Sequence, residues 1–476
     1  MDSSKVLDFF KEITKIPRES GHEELMASYL IDFALNHGLE HKKDKAGNVL
    51  IIKEAAPGKE NVPSIALQCH QDMVCEKSEA CGHDFSKDPI HYEIKDGWMV
   101  APETTLGADD GIGIAACLAI LDSDLPAGRI ECLFTVSEET GMDGAFALEE
   151  GFFTSKTLIN LDSEDEGQLF VGCAGGVTTQ ISFDLIRETA APGSRALDFR
   201  LYGTLGGHSG DDIDKGRINT VQQMARFIKI LSGKMDVRLV GIDGGGKHNA
   251  IARECRARVA ISPELIASAK EEFGKFCDAL RAEYHRTEPV LMQDCNEAVL
   301  DVQPLERSLA DRLISALVAV HHGVLAMSQD IEGLVETSSN LASVHMNGST
   351  IDICTSQRSS VDSAREYVAD KVEACFRLAG AKVSRNDPYP GWKPDMNSHI
   401  LERTRSAYRR LFGTEPLVKA IHAGLECGLF LEKFKDLDMI SFGPTLRGVH
   451  APGERLDLAS NEKFVKLLAD VVTNFG

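Results

Sequence analysis

The chain has 476 residues, 43% of them apolar, which is too long for one ordinary core and apolar enough for two or three packed domains. Its formal charge of −22 argues against nucleic acid or an anionic membrane as a partner, since phosphate binding needs clustered Lys and Arg. The amino-terminal residues lack the basic start and apolar centre of a secretory signal, no apolar stretch approaches the ~20 residues of a membrane span, and the twelve cysteines contain no Cys-x-x-Cys pair, so a cytoplasmic chain with reduced thiols is expected.

Two amphipathic helices open the chain, one with Val6, Leu7, Phe10 and Ile13 on its apolar face and one with Leu25, Tyr29, Leu30 and Phe33, ending near Gly38. A strand follows over 48–53. Four short apolar runs then stand out, at 64–69, 131–136, 157–161 and 437–442. Each is bounded by turn residues, as a buried strand of a parallel sheet is. A helix is predicted from Asp110 to about Leu121, and strands and helices alternate to about Val171, which implies a largely parallel sheet covered on both faces. Near Gly175-Gly176 the pattern changes, and 196–203 alternates apolar and polar residues like a sheet with one wet face. A helix over 220–231, strands over 237–241 and 250–261 and a helix over 264–284 follow. A comparable set recurs as a helix over 305–321, strands over 334–346 and 350–356 and a helix over 363–378, which raises a duplicated lobe. Pro388 to Pro394 reads as a hinge, after which α/β alternation resumes. The predicted layout is α/β: a catalytic domain split into 1–180 and 391–476, with a mainly parallel sheet covered by helices, around an inserted α/β lid domain over 181–390 that two duplicated lobes would fill.

In open α/β sheets, ligands bind where loops leave the carboxyl ends of strands. The four apolar runs lead to His70 and Asp72, to Glu138 and Glu139, to Asp162, and towards His450. Singly, each of these has an ordinary structural reading as an acidic turn, a helix cap or a loop histidine. Together they point to a metal site, and their number to more than one metal. His70 and Asp72 share a strand face, so one can ligate while the other orients it. Asp109 stands just before a helix amino terminus, where a carboxylate is well held. Glu138-Glu139 offers one ligand and one proton shuttle. Cys69, although next to His70, points to the opposite face and reads as core.

His70-Gln71-Asp72, 106–111 (LGADDG), 137–141 (SEETG), 160–164 (NLDSE) and 206–210 (GGHSG) resemble the signature blocks of the carnosinase-like dinuclear zinc exopeptidases. The blocks 422–428 (HAGLECG), 443–445 (GPT) and 450–454 (HAPGE) extend the resemblance to the aminoacyl-histidine dipeptidases within them, in order across almost the whole chain. The resemblance implies five ligands, His70, Asp109, Glu139, Asp162 and His450, with Asp109 bridging two Zn²⁺. Three carboxylates and a bridging hydroxide would leave that cluster neutral. The same donors also allow cobalt or manganese. It further implies hydrolysis of free dipeptides, Xaa-His and β-alanyl-histidine among them, by a metal-bridged water with Glu138 as general base. Asp72 would hold the His70 tautomer, and His208 would stabilise the oxyanion from the inserted domain. For the substrate, Arg358 is placed to bind the terminal carboxylate, Asn249 to position the dipeptide and Glu426 to hold its amino group. The expected partner is a small dipeptide, with the oligomeric state open between monomer and homodimer.

Other readings remain. Residues 111–116 match G-x-G-x-x-A, a dinucleotide fingerprint, but Asp109 and Asp110 in front would repel a pyrophosphate. An N-acyl amino acid deacylase or a carboxypeptidase would share the metal blocks. A metal-sensing or scaffold protein would not need Glu138 beside Glu139.

Overall fold

The computed structural model describes residues 2–386 and 388–476. The chain forms two compact units, one of residues 1–172, 394–420 and 425–476, the other of 173–393 and 421–424. The crossings thus fall at 172/173 and 393/394 rather than at 180/181 and 390/391, and the short 421–424 segment carries His422 into the second unit.

The first unit is built on an eight-stranded sheet in the order Glu40–Lys43, Val49–Lys53, Ile130–Thr135, Ile65–His70, Thr157–Asn160, Asp438–Ser441, Gln168–Cys173 and Leu417–Ile421. Its four central strands are those of the apolar runs, and they are mutually parallel. The strands over 65–70, 130–135 and 157–160 are buried along their whole length, which is why they read as continuous apolar segments. Antiparallel pairs flank this centre on both sides. Glu40–Lys43 and Val49–Lys53 pair antiparallel through a short connection, Val49–Lys53 joins Ile130–Thr135 antiparallel, and Gln168–Cys173 joins Asp438–Ser441 antiparallel. The helix Ala108–Leu121 is buried at almost every position, so its sequence shows little amphipathic signal. In the helix Glu24–Asn36 the buried stripe is Met26, Ala27, Leu30, Phe33 and Ala34, while Leu25 is 57% exposed. Of the expected face, Leu30 and Phe33 are buried and Tyr29 half-buried, and only Leu25 falls outside the stripe, whose Met26, Leu30 and Phe33 follow i, i+4, i+7 spacing. A separate small sheet pairs Leu446–Arg447 with Arg455–Asp457 and holds the His450 loop between them.

The second unit has one nine-stranded sheet in the order Met292–Ala298, Arg195–Tyr202, Cys255–Ile261, Val237–Gly245, Val335–Asn347, Thr350–Ser359, Gly175–Asp184 and Lys382–Arg385, with Gly323–Met327 beside Val335–Asn347. Each half follows strand, helix, strand, strand, helix, strand. In the first half these are Arg195–Tyr202, Thr220–Lys234, Val237–Gly245, Cys255–Ile261, Ile266–Glu283 and Met292–Ala298. In the second they are Gly175–Asp184, Arg307–Ala319, Val335–Asn347, Thr350–Ser359, Asp362–Leu378 and Lys382–Arg385. In both halves the first strand lies between the third and the fourth. The second strands of the two halves meet antiparallel at Gly244–Gly245 and Ser343–Val344, so the two lobes are fused into one sheet. Phe199, Phe227 and Phe273 meet with centroids 4.8–4.9 Å apart in its core. The predicted strand over 250–261 is two: Cys255–Ile261 stays in the sheet, while Ala250–Ile251 leaves it to pair with Gly207–His208. Among the described residues no helix is long and apolar enough to cross a membrane.

Candidate metal centre

In the first unit, three strand ends, the start of the helix Ala108–Leu121 and the small-sheet loop bring the predicted ligands together. His70 closes its strand, and its Nε2 lies 3.0 Å from Asp109 Oδ1 and 3.5 Å from Asp162 Oδ1. His450, held by the small sheet with a left-handed φ of 62°, places Nε2 3.1 Å from Asp109 Oδ2 and 3.0 Å from Glu139 Oε1. Asp109 is common to both groups, one oxygen to each. The peptide between Asp109 and Asp110 is cis.

These side chains are buried, with His70 1%, Glu139 6%, Asp109 11% and Asp162 12% exposed, while His450 stays half-exposed. The carboxylates outnumber the positive groups. Burial, with the charge of Asp109 next, pushes the Asp162 pKa well up. Burial raises Glu138 to about 8, against the pull of the His70 ring and with the help of Glu426 and Glu139. A buried cluster this rich in carboxylate lacks positive charge. The imidazole nitrogens pointing at carboxylate oxygens mark where a divalent cation would replace a proton. His70, Asp109 and Glu139 offer donor atoms within 4.8 Å of one another, as do His70, Asp110 and Asp162. Oxygen and imidazole donors without thiolate fit zinc, cobalt or manganese.

Asp72 supports this group from behind. Its Oδ1 stands 3.2 Å from His70 Nδ1, at ion-pair distance but outside hydrogen-bond alignment. It accepts from Ser20 Oγ at 2.7 Å and from the Glu138 and Glu139 N–H groups at 3.1 and 3.2 Å. Burial would raise its pKa, but the His70 ring and these donors outweigh burial and hold it at about 2. Glu426 is buried, with Oε2 taken by Gln68 Nε2 at 2.6 Å and Thr135 Oγ1 at 2.9 Å, and burial lifts its pKa to about 7. Cys69 is wholly buried, its Sγ 4.0 Å from that of Cys117, as a core thiol.

In the second unit a basic cluster contains the remaining predicted residues. His208 Nδ1 accepts from the N–H groups of Gly210 and Asp211, both at 3.3 Å, and lies 3.4 Å from Asp211 Oδ2. With Nδ1 accepting, the ring carries its hydrogen on Nε2, which is left as a donor. Ser209 N donates to Asn249 O at 2.8 Å, which joins the Asn249 loop to the His208 ribbon. Arg358 is 7% exposed; its Nη1 donates to Tyr389 Oη at 3.1 Å, while its buried Nε has no partner. A Cβ at Gly176 would meet the Tyr389 ring at 2.5 Å, so glycine is needed there. His422 Nε2 lies 2.7 Å from Ser338 Oγ, and burial followed by the Arg358 charge depresses its pKa to about 3. The same two causes lower His248.

Sequence reasoning missed Asp110, Ser20, Glu23 and His422. Asp110 Oδ1 accepts from Gly113 N at 3.1 Å and so caps the helix, and a Cβ at Gly113 would collide with that carboxylate, which accounts for this glycine without a dinucleotide. Glu23 accepts from Ser137 N at 3.0 Å, just before the Glu138–Glu139 pair. Ser20 and Glu23 stand in a polar turn with no periodicity to single them out. His422 was visible only as the first residue of a quoted block.

Three comparisons bear on this geometry. A family model described as "Peptidase family M20/M25/M40" matches residues 66–474. The cytosol non-specific dipeptidase of Escherichia coli (strain K12) is 38% identical over 466 residues, 98% of this chain and 96% of that protein. The crystal structure of aminoacylhistidine dipeptidase from Vibrio alginolyticus matches with a TM-score of 0.92 at 39% identity, over 98% of this chain and 96% of that one. Human carnosine dipeptidase 1, at a TM-score of 0.51 and 13% identity over 99% of this chain and 96% of that one, shares the fold.

Proposed function

The chain belongs to peptidase family M20/M25/M40 and is a hydrolase, and we propose that it is a dinuclear zinc dipeptidase acting on free dipeptides, Xaa-His substrates such as β-alanyl-histidine among them. One observation carries this reading: two ligand groups, His70 with Asp162 and His450 with Glu139, share Asp109. The names of the two similar dipeptidases support dipeptides as substrates, and that of the first supports a cytoplasmic setting.

His70, Asp109, Glu139, Asp162 and His450 would hold the two ions. Bound there, the ions would supply Lewis acidity to a water and to the scissile carbonyl. Glu138, next to a ligand and buried, takes the proton of the attacking water on its carboxylate and returns it to the leaving nitrogen. Asp72 fixes His70 and, through two N–H bonds, the Glu138–Glu139 turn. His208 donates from Nε2 to the oxygen on which charge develops. Arg358 binds the substrate carboxylate, which its unpartnered Nε supports. Asn249 positions the dipeptide, and the free Oε1 of Glu426 receives its amino group.

The test is elemental analysis of the purified protein together with hydrolysis of β-alanyl-histidine, N-acetyl-histidine and a longer peptide. Two zinc ions and turnover of the dipeptide alone are expected. Preference for the acetylated amino acid would make it a deacylase, and preference for the longer peptide a carboxypeptidase.

A further inference from the structure

Glu454 follows His450 by four residues and is 2% exposed. Its Oε2 accepts from the N–H groups of Leu106 at 2.7 Å and Gly107 at 3.0 Å, and its Oε1 from those of Ala108 at 2.8 Å and Asp109 at 3.3 Å. One carboxylate therefore gathers four consecutive backbone donors, the last belonging to Asp109. Arg18, also 2% exposed, holds the carbonyls around the same segment: Nη1 donates to Gln71 O at 3.0 Å and to Asp72 O at 2.5 Å, and Nη2 to Gly107 O. A Cβ at Gly107 would lie 2.5 Å from Arg18 Nη2, and one at Gly111 2.7 Å, so these glycines admit the guanidinium. The main chain of Glu454 is itself anchored, its carbonyl accepting from Ala101 N at 3.1 Å, and the preceding Gly453 N donating to Ala101 O and Thr104 O.

We infer that Glu454 is a positioning residue that sets the Asp109 carboxylate and ties it to the His450 loop, so that both ligands are presented to the ions as one rigid piece. The inference rests on the ligand assignment proposed above. Charge-assisted bonds to four N–H groups fix the segment's orientation more firmly than a neutral acceptor would. An amide at this place loses the charge and turns an NH₂ group towards N–H donors. Groups that orient ligands from outside the coordination sphere typically govern metal affinity by about 10–100-fold.

The experiment is a zinc titration of the metal-free full chain against a competing chelator, for the parent, Glu454→Gln, Glu454→Asp and Asp109→Ala, with circular dichroism and melting curves on each metal-free sample. Glu454→Gln is expected to stay folded and to weaken zinc by about 10–100-fold, with Glu454→Asp recovering part of the loss because it keeps the charge. Parent-like zinc affinity in Glu454→Gln, even with a lowered melting temperature, would reduce Glu454 to a structural residue and overturn the proposal. If Glu454→Gln does not fold, parent-like affinity in folded Glu454→Asp overturns it equally. Asp109→Ala separates the two layers. If it keeps both ions, the ligand assignment is wrong; if it loses them while Glu454→Gln binds normally, only the positioning role falls.

Discussion

In the first unit Asp109, Glu138, Glu139 and Asp162 surround two imidazoles at the ends of parallel strands, whereas in the second unit Arg358, His208, His248 and His422 gather on an antiparallel sheet with Asp211 among them. The first cluster has too much negative charge for its burial, which pushes the Glu138 and Asp162 carboxyl groups towards protonation. In the second, burial and the Arg358 charge lower the pKa of His422 and His248, so that Arg358 stands as a cation with Asp211 as its neighbouring anion. A cation would complete the first cluster, and on the proposed reading Arg358 and His208 in the second would meet a carboxylate and a developing oxyanion. On that reading chemistry falls to the first cluster and recognition to the second, so variants in one should fail differently from variants in the other.

The sharpest break is expected in the first unit. Asp109→Ala should lose both ions and all activity, because its two oxygens serve both groups, while Asp162→Ala should affect mainly one ion. Elemental analysis showing full occupancy in the first variant would unseat Asp109 as the bridge. Glu138→Ala should keep both ions yet lose turnover by at least the ~10²–10⁴ of general acid–base catalysis, and near-normal kcat would remove it from the reaction. The second unit should fail without losing metal. His208→Ala is expected to lower kcat by about 10²–10³, the usual cost of one oxyanion donor. Zinc loss in that variant would make His208 a ligand instead.

Arg358→Met tests recognition alone. Hydrogen bonds to charged groups are worth about 1.5–3 kcal/mol, so the preference for a dipeptide over its carboxyl-terminal amide should fall about ten- to hundredfold in kcat/KM. Lysine should restore only part of it, lacking the planar fork. An unchanged ratio would assign the carboxylate to another basic group.

The smallest effect is on stability. The folded His422 pKa of about 3 lies below the ordinary histidine value, so the unfolded chain binds a proton that the folded chain refuses. Its contribution is complete above about pH 6.5 and is lost as pH falls towards about 3, by at most about 1.4 kcal/mol per pH unit. His422→Asn should therefore flatten the fall in melting temperature between about pH 7 and about pH 5. A parent-like slope would mean that His422 is already protonated in the fold.

Much of the first unit was legible because its central strands are buried on both faces. Such strands appear as unbroken apolar runs whose next residues must be loop residues, so His70, Glu138, Glu139 and Asp162 identified themselves by position. The edge strand Glu40–Lys43 carries only polar and charged residues and left no such trace. The lobes of the second unit were legible as a repeated order of elements, but their fusion was not. The junction is two residue pairs, Gly244 with Val344 and Gly245 with Ser343, and pairing between distant strands has no local signature.

The order of elements, the buried parallel centre and the residue types able to bind a metal were determined by the sequence itself, because hydrophobic periodicity and turn residues act over a few positions. The tertiary structure alone decided that Asp109 faces two histidines separated from each other by 380 residues of chain. It alone brought Glu454 onto the backbone of 106–109, and His422 into the unit of Arg358. Those placements depend on long-range burial and on the pairing of charges withdrawn from water. No local pattern can encode them, since the partners meet only once the chain has folded.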